Sequence, residues 1–138
     1  MAGEPKWEVA PVLRVRNVRA AVDYYREKLG FECPDDTIYD EIGVEGGIYA
    51  FVRRGEIQIH LGRARTDQKI EPGTSPNAQG VYLYVPDCVS LYEEFKRRGA
   101  NIIQRPEVAF YGMNEVVVLD LDGYVITFGS QSGAEEAD

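Results

Sequence analysis

VLRVRNVRAAVDYYREKLG (residues 12–30) and VYLYVPDCVSLYEEFKRRG (residues 81–99) carry one pattern twice, and that repetition decides the fold. In the first stretch a short β-prone run, Val12 to Val15, leads to Asn17, whose side chain suits a helix N-cap. Val18, Val22, Tyr25 and Leu29 follow at helical spacing, and Gly30 supplies the stop. In the second, Val81 to Val85 leads to Asp87 as the cap, Cys88, Leu91, Tyr92 and Phe95 make the apolar stripe, and Gly99 ends it. Leu13 matches Leu83, Asn17 matches Asp87 and Tyr25 matches Phe95, each seventy residues apart, with one residue slipped before the glycines. A repeat of that size indicates a duplicated module, not a solenoid.

Working outward, each helix is followed by strand material. The first half offers Phe31 to Asp40, Gly47 to Arg53 and Glu56 to Leu61, with Arg54-Gly55 as the hairpin turn; the second offers Asn101 to Phe110, Asn114 to Leu119 and Tyr124 to Phe128, turning at Asp122-Gly123. Each half therefore reads β-α-β-β-β. The sequence predicts a single α+β domain, residues 1–138, in which two tandem βαβββ modules (8–62 and 80–129) form curved sheets around a concave cleft. Residues 63–79, with Pro72, Gly73, Pro76 and Asn77, read as a linker loop long enough to act as a flap, and residues 130–138 as a disordered tail.

The formal charge of −8 argues against nucleic acid and against anionic membrane as partners, and it suits a cationic ligand, although net charge chiefly serves solubility. Cys33 and Cys88 make neither a CxxC pair nor a disulfide framework, which fits a reducing cytoplasm. No run approaches the roughly 18 apolar residues that a membrane helix needs, and Met1 to Lys6 lacks the apolar core of a signal peptide.

Strand alternation assigns faces. Pro11, Leu13 and Val15 are expected to pack on the helix, leaving Ala10, Val12 and Arg14 on the concave side; Ile57, Ile59 and Leu61 go inward, leaving Gln58 and His60. A two-residue turn at Arg54-Gly55 would place Tyr49 opposite His60 and Phe51 opposite Gln58. In the second half Leu83 and Val85 pack inward while Gly80, Tyr82 and Tyr84 face the concavity. Arg14, Tyr49, Phe51, Gln58, His60, Tyr82 and Tyr84 are thus expected to converge on one concave surface. Rings that bury area at small entropy cost, with a few polar anchors, suit a small-molecule pocket; a second small core or a dimer interface would use the same residues.

The run Ala10 to Val18, continuing through Tyr24-Tyr25 to Leu29-Gly30-Phe31, resembles the first strand and helix of the glyoxalase, bleomycin-resistance and extradiol-dioxygenase superfamily, the vicinal-oxygen-chelate proteins. Arg54 to Leu61 resembles that superfamily's fourth strand, and Tyr111-Gly112-Met113-Asn114-Glu115 with Asp120-Leu121-Asp122-Gly123-Tyr124 resembles its closing hairpin, so the resemblance covers roughly Val9 to Gly129. Metal-dependent members place one His, Gln or Glu ligand on each of four strands, and the resemblance carries these positions onto Ala10, His60, Gly80 and Thr127. Only His60 is a good ligand, and it is the sole histidine of the chain. Without the ion as Lewis acid the superfamily's isomerase, dioxygenase and thiol-transferase chemistry has no centre.

The resemblance therefore implies a metal-independent, cofactor-free binder of the bleomycin-resistance type. Such a protein is a homodimer with clefts completed across the interface, and its ligand is an aromatic or cationic small molecule, an antibiotic among the candidates. Tyr49, Phe51, Tyr82 and Tyr84 would stack on the ligand, with Arg14, Gln58, His60 and Thr127 beside them. His60 has no orienting carboxylate on its own strand, which favours ligand contact, or a hydrogen bond within the sheet, over the role of general base. Asp120 and Asp122 read as turn formers. Two rivals stand beside this reading. One is a metal-dependent lyase, isomerase or dioxygenase that recruits Glu56, Glu115 or Asp120 to His60; the other is a groove that meets another protein.

Overall fold

The computed structural model describes residues 6–65, 70 and 80–132. Both helices form where their local signals put them. The Asn17 side chain accepts from Ala20 N and α1 spans Val18–Leu29, ending on Gly30 at φ 73°. The Asp87 side chain accepts from Val89 N and Ser90 N, and α2 spans Cys88–Arg98, ending on Gly99 at φ 78°. Left-handed backbone at both stops is the conformation that glycine adopts without a Cβ penalty.

The strands form two separate sheets. In the first, β1 (Val12–Val15) lies parallel to β3 (Ile57–Arg63), which pairs antiparallel with β2 (Tyr49–Arg54). In the second the order is β4 (Gly80–Tyr84), β7 (Val125–Gln131), β6 (Met113–Leu119), β5 (Asn101–Val108), with β4 and β7 parallel. The expected strand from Phe31 to Asp40 is absent as a strand. Glu32 and Tyr39 make isolated bridges to Arg53 and Tyr49, and between them Pro34 begins a 3-10 turn at Asp35–Thr37 in which Thr37 N and Oγ1 both donate to the Pro34 carbonyl. Proline has no N–H for a ladder, so the chain leaves the sheet there. At the other end β7 runs to Gln131, and Ser130 and Ser132 are buried, so the chain is still in the sheet where a tail was expected. The expected linker and flap fall almost wholly on residues outside the described ones.

The first hairpin is also shifted. Its two-residue turn is Gly55-Glu56, with Gly55 at φ 58°, so Phe51 pairs with His60, Arg53 with Gln58 and Tyr49 with Gly62. Arg54 stays in the strand because its guanidinium is engaged, Nη1 donating to Leu29 O at 2.8 Å and to Glu94 Oε2 at 2.8 Å, Nη2 to Glu94 Oε1 at 2.7 Å.

One core serves both modules. Tyr25, Leu29, Val15, Val52, Ile59 and Leu61 of the first join Phe95, Val116, Ile126 and Phe128 of the second in a single buried cluster. Phe95 packs on Phe128 with ring centroids 5.0 Å apart. Polar contacts reinforce the joint. The Tyr25 hydroxyl donates to Asp120 Oδ2 at 2.8 Å, Arg16 N and Nη1 both donate to Asp122 Oδ1, and the Tyr124 hydroxyl donates to Arg14 O. Asp120 and Asp122 thus shape the β6–β7 turn as expected, Asp120 Oδ1 accepting from Asp122 N and Tyr124 N, and also bolt the second module to the first.

The Arg54–Glu94 pair ties the first hairpin to α2, with Arg98 Nε adding a 2.7 Å bond to Glu94. The bidentate Arg54 beside it lowers the Glu94 carboxyl to about 2 from an ordinary 4.5. A depressed acid contributes stability that is complete above the unfolded value and lost as pH falls toward the folded one. Glu94→Gln is expected to cost about 1 kcal/mol at pH 7, because partly exposed charged pairs are worth little more. Urea titration at 0.05 M and 0.5 M salt checks this, the wild-type advantage shrinking at high salt.

Candidate functional site

Strand parity came out as the alternation predicts. Leu13, Val15, Ile59, Leu61 and Leu83 are buried against the helices, while Arg14, Tyr82 and Tyr84 are exposed on the opposite faces. The candidate residues do not form one cluster, however. They gather as two groups, one on the open face of each sheet, and no described hydrogen bond or ring contact joins them.

On the first sheet His60 sits at the centre. Its Nδ1 lies 3.0 Å from the Tyr49 hydroxyl, its Nε2 is 3.5 Å from Gln58 Nε2, and the Phe51 ring is tilted over it with centroids 4.5 Å apart. The imidazole is therefore held on both nitrogens by its own sheet, and its orienting partner is a phenol, not a carboxylate. Arg14 and Tyr49 come together above Gly62, where an added Cβ would stand 2.4 Å from Arg14 Nη1 and 2.9 Å from the Tyr49 ring. The absent side chain lets both groups lie low across the strand.

On the second sheet Tyr82 reaches across β7 to β6. It passes above Gly129, where a Cβ would meet its hydroxyl at 2.1 Å, and donates to Glu115 Oε2 at 2.6 Å. The Tyr111 hydroxyl donates to the same oxygen. Tyr84 leans on Tyr82, centroids 5.1 Å apart, and Thr127 is the strand partner of Tyr82. Burial, then the bond to Glu115, raises Tyr82 above the usual phenol value; Glu115 does the same to Tyr111. Both phenols therefore remain protonated donors through the neutral range. Tyr111 and Glu115 are absent from the candidate set drawn from sequence. Their signal lay in the quoted YGxxE hairpin, whose tight turn at Gly112, φ 89°, sets residues 111 and 115 side by side.

A groove of about 760 Å³ runs between the β2–β3 turn and the start of α2, lined by Arg54, Glu56, Tyr84, Pro86, Ser90 and Arg97 among others. It meets the candidate set at Tyr84 only. Phe51 lines a smaller recess of about 340 Å³.

The four superfamily metal positions hold no ligand set. Ala10 has no donor. A Cβ on Gly80 would stand 1.9 Å from the Val125 carbonyl oxygen, so β7 has closed over that position. Thr127 lies on the second sheet, away from His60, whose nitrogens are already engaged. Among the described residues no three of His, Cys, Asp or Glu converge as metal ligands. Glu115 is held by two tyrosines, and Asp120 is buried beneath Tyr25 on the helix side, so neither reaches His60. The donor set does not fit a chelated divalent ion.

The family described as Glyoxalase/Bleomycin resistance protein/Dioxygenase superfamily matches residues 9–128. The chain belongs to that superfamily. Glyoxalase-superfamily structures share its fold. The bleomycin-binding protein from bleomycin-producing Streptomyces verticillus, complexed with copper(II)-bleomycin, is 24% identical at TM-score 0.67, covering 91% of this chain and 97% of its own. A superfamily member from Sphaerobacter thermophilus is 21% identical at TM-score 0.68, covering 92% and 98%. Lactoylglutathione lyase from Agrobacterium tumefaciens is 18% identical at TM-score 0.61, covering 93% and 96%. Binder and enzyme thus share the architecture. No curated protein matches the chain. Among the described residues no helix is long and apolar enough to cross a membrane.

Proposed function

We propose that this chain is a metal-independent small-molecule binding protein of the bleomycin-resistance type, acting in the cytoplasm as a homodimer and making or breaking no bond. The observation that carries the reading is Gly80: the strand that would bring a metal ligand is packed so tightly on Val125 that no side chain fits there. What remains exposed on the two sheet faces is aromatic surface with sparse polar anchors, the composition that binds flat organic ligands. Tyr49, Phe51, Tyr82 and Tyr84 supply the stacking; Arg14, Gln58, His60 and Thr127 supply direction. Each chain leaves both faces open, with Tyr84 at 74% and Val12 at 46% exposure. Dimerisation that sets the first sheet of one protomer over the second sheet of its partner would turn two open faces into closed clefts. The Streptomyces relative, crystallised with copper(II)-bleomycin, supports a drug as the class of ligand to try first.

The test combines elemental analysis of gently purified protein with thermal-shift screening, with and without chelator. Substoichiometric metal, unchanged melting after chelation and stabilisation by a glycopeptide or aromatic acid are expected. A ligand at 100 times its Kd should add about 2.7 kcal/mol. Stoichiometric Mn, Fe, Ni or Zn that survives purification would overturn the reading in favour of a metal-dependent lyase, isomerase or dioxygenase.

A further inference from the structure

We propose that Tyr82, Tyr84, Tyr111 and Glu115 form a seat for an alkylated ammonium group, so that the ligand of this protein carries a quaternary or N-methylated cation. The inference rests on the small-molecule-binding reading and adds a chemical class to it.

Four observations lead there. The Tyr82 and Tyr84 rings stand 5.1 Å apart and tilted at 57°, with Tyr84 74% and Tyr111 54% exposed, so π surface here is open to solvent. The Tyr111 hydroxyl meets Tyr82's on one oxygen of Glu115, and Phe110 packs edge-on against Tyr111 at 4.9 Å. The negative charge at the floor is answered only by those two phenols among the described residues, with no lysine or arginine in an ion pair to it. Finally, Glu107 is the cross-strand partner of Glu115, so a second carboxylate borders the same spot.

Chemistry then selects the guest. Rings present negative faces to a cation, and donation of both hydroxyl protons to a carboxylate makes those rings richer in electrons. A primary ammonium is strongly hydrated and demands three acceptors, yet this Glu115 oxygen already receives two hydrogen bonds. An alkylated ammonium has few or no N–H groups to satisfy and sheds its water more readily. It gains from the ring faces and from the uncancelled charge beneath them. Gly129 is what makes the seat possible, because only a residue without Cβ lets Tyr82 lie across the sheet as far as Glu115.

The experiment is a proton NMR titration of the full chain with choline and, in parallel, with its uncharged isostere 3,3-dimethyl-1-butanol. Choline should bind saturably in the millimolar range, its N-methyl signal moving upfield under the tyrosine ring currents, and the isostere should bind about tenfold more weakly. Glu115→Gln should weaken choline about fivefold and leave the isostere unchanged, and Tyr84→Leu, at an exposed position, should remove most of the upfield shift. Equal binding of the two probes overturns the proposal, as does the absence of a saturable shift, including the case in which a partner chain covers this face. The outcomes also separate the two readings. Large aromatic ligands that stabilise the protein while choline fails leave the binding function standing and remove the seat. Choline binding with no stabilisation by any larger ligand upholds the seat and overturns the bleomycin-resistance type of ligand.

Discussion

Asp120→Ala is expected to lower the unfolding free energy by about 3 kcal/mol at pH 5, because it strands three partners at once. The fully buried Tyr25 loses the acceptor for its hydroxyl, and the Asp122 and Tyr124 amides lose theirs. Those groups lie on both sides of the joint between the modules, so the loss should appear as a lower urea midpoint for the whole chain. A pH series sharpens the test. Burial lifts the Asp120 carboxyl to about 6 from 3.8, outweighing the hydrogen bonds that favour its ionised form. An acid with a raised folded value binds more protons folded than unfolded between those two values. Stability therefore falls as pH rises through that window, by about 3 kcal/mol from this group alone. Asp120→Asn keeps the shape and cannot ionise. It should lose that pH dependence, ending within about 1 kcal/mol of wild type at pH 7 while being less stable than wild type at pH 4. Parallel pH profiles for the wild-type protein and the Asp120→Asn variant would sink the assignment.

Gly80→Ala is the second large effect. The added methyl would sit 1.9 Å from a backbone oxygen and 2.8 Å from the carbonyl carbon of Val125, neither of which can swing aside. β4 must shift away from β7 along a register that runs from Gly80–Val125 to Tyr84–Gly129, and about 3 kcal/mol of stability should go with it. Gly129→Ala is the control. There the obstruction is the end of the Tyr82 side chain, which can rotate out, so stability should fall by no more than about 1 kcal/mol while the Tyr82–Glu115 bond is lost. Equal urea midpoints for wild type and Gly80→Ala would show that β7 does not seal the position. For the same reason Gly80→His should not create a metal site.

The helices were legible in the sequence because their caps are local. Asn17, Asp87, Gly30 and Gly99 act within a turn of themselves, and strand parity needs only alternation. The hairpin register was not legible, since Arg54-Gly55 and Gly55-Glu56 are equally good two-residue turns on composition. The choice is made by contacts of Arg54 with Leu29 and Glu94, the latter forty residues along the chain. Distance hid the second role of Asp120 as well, for Tyr25 lies ninety-five residues away. Phe31 to Asp40 failed as a strand for a local reason that was visible in Pro34. The face on which each candidate side chain lies was legible, and the grouping of those side chains was not. Alternation says that His60 and Tyr82 both face away from the helices; it is silent on whether two sheets face one another. The Tyr82–Glu115 bond was not legible because it reaches across β7, whereas the Tyr111–Glu115 bond lies within the local YGxxE hairpin.

Gly62 and Gly129 hold the contours of both open faces. Each is a missing methyl group roofed by a movable side chain, Arg14 with Tyr49 in one case and Tyr82 in the other. Substitution at either point would redraw that face while the shared core beneath stays intact. The shape of either face can therefore change by a single residue at little cost to the fold that carries it.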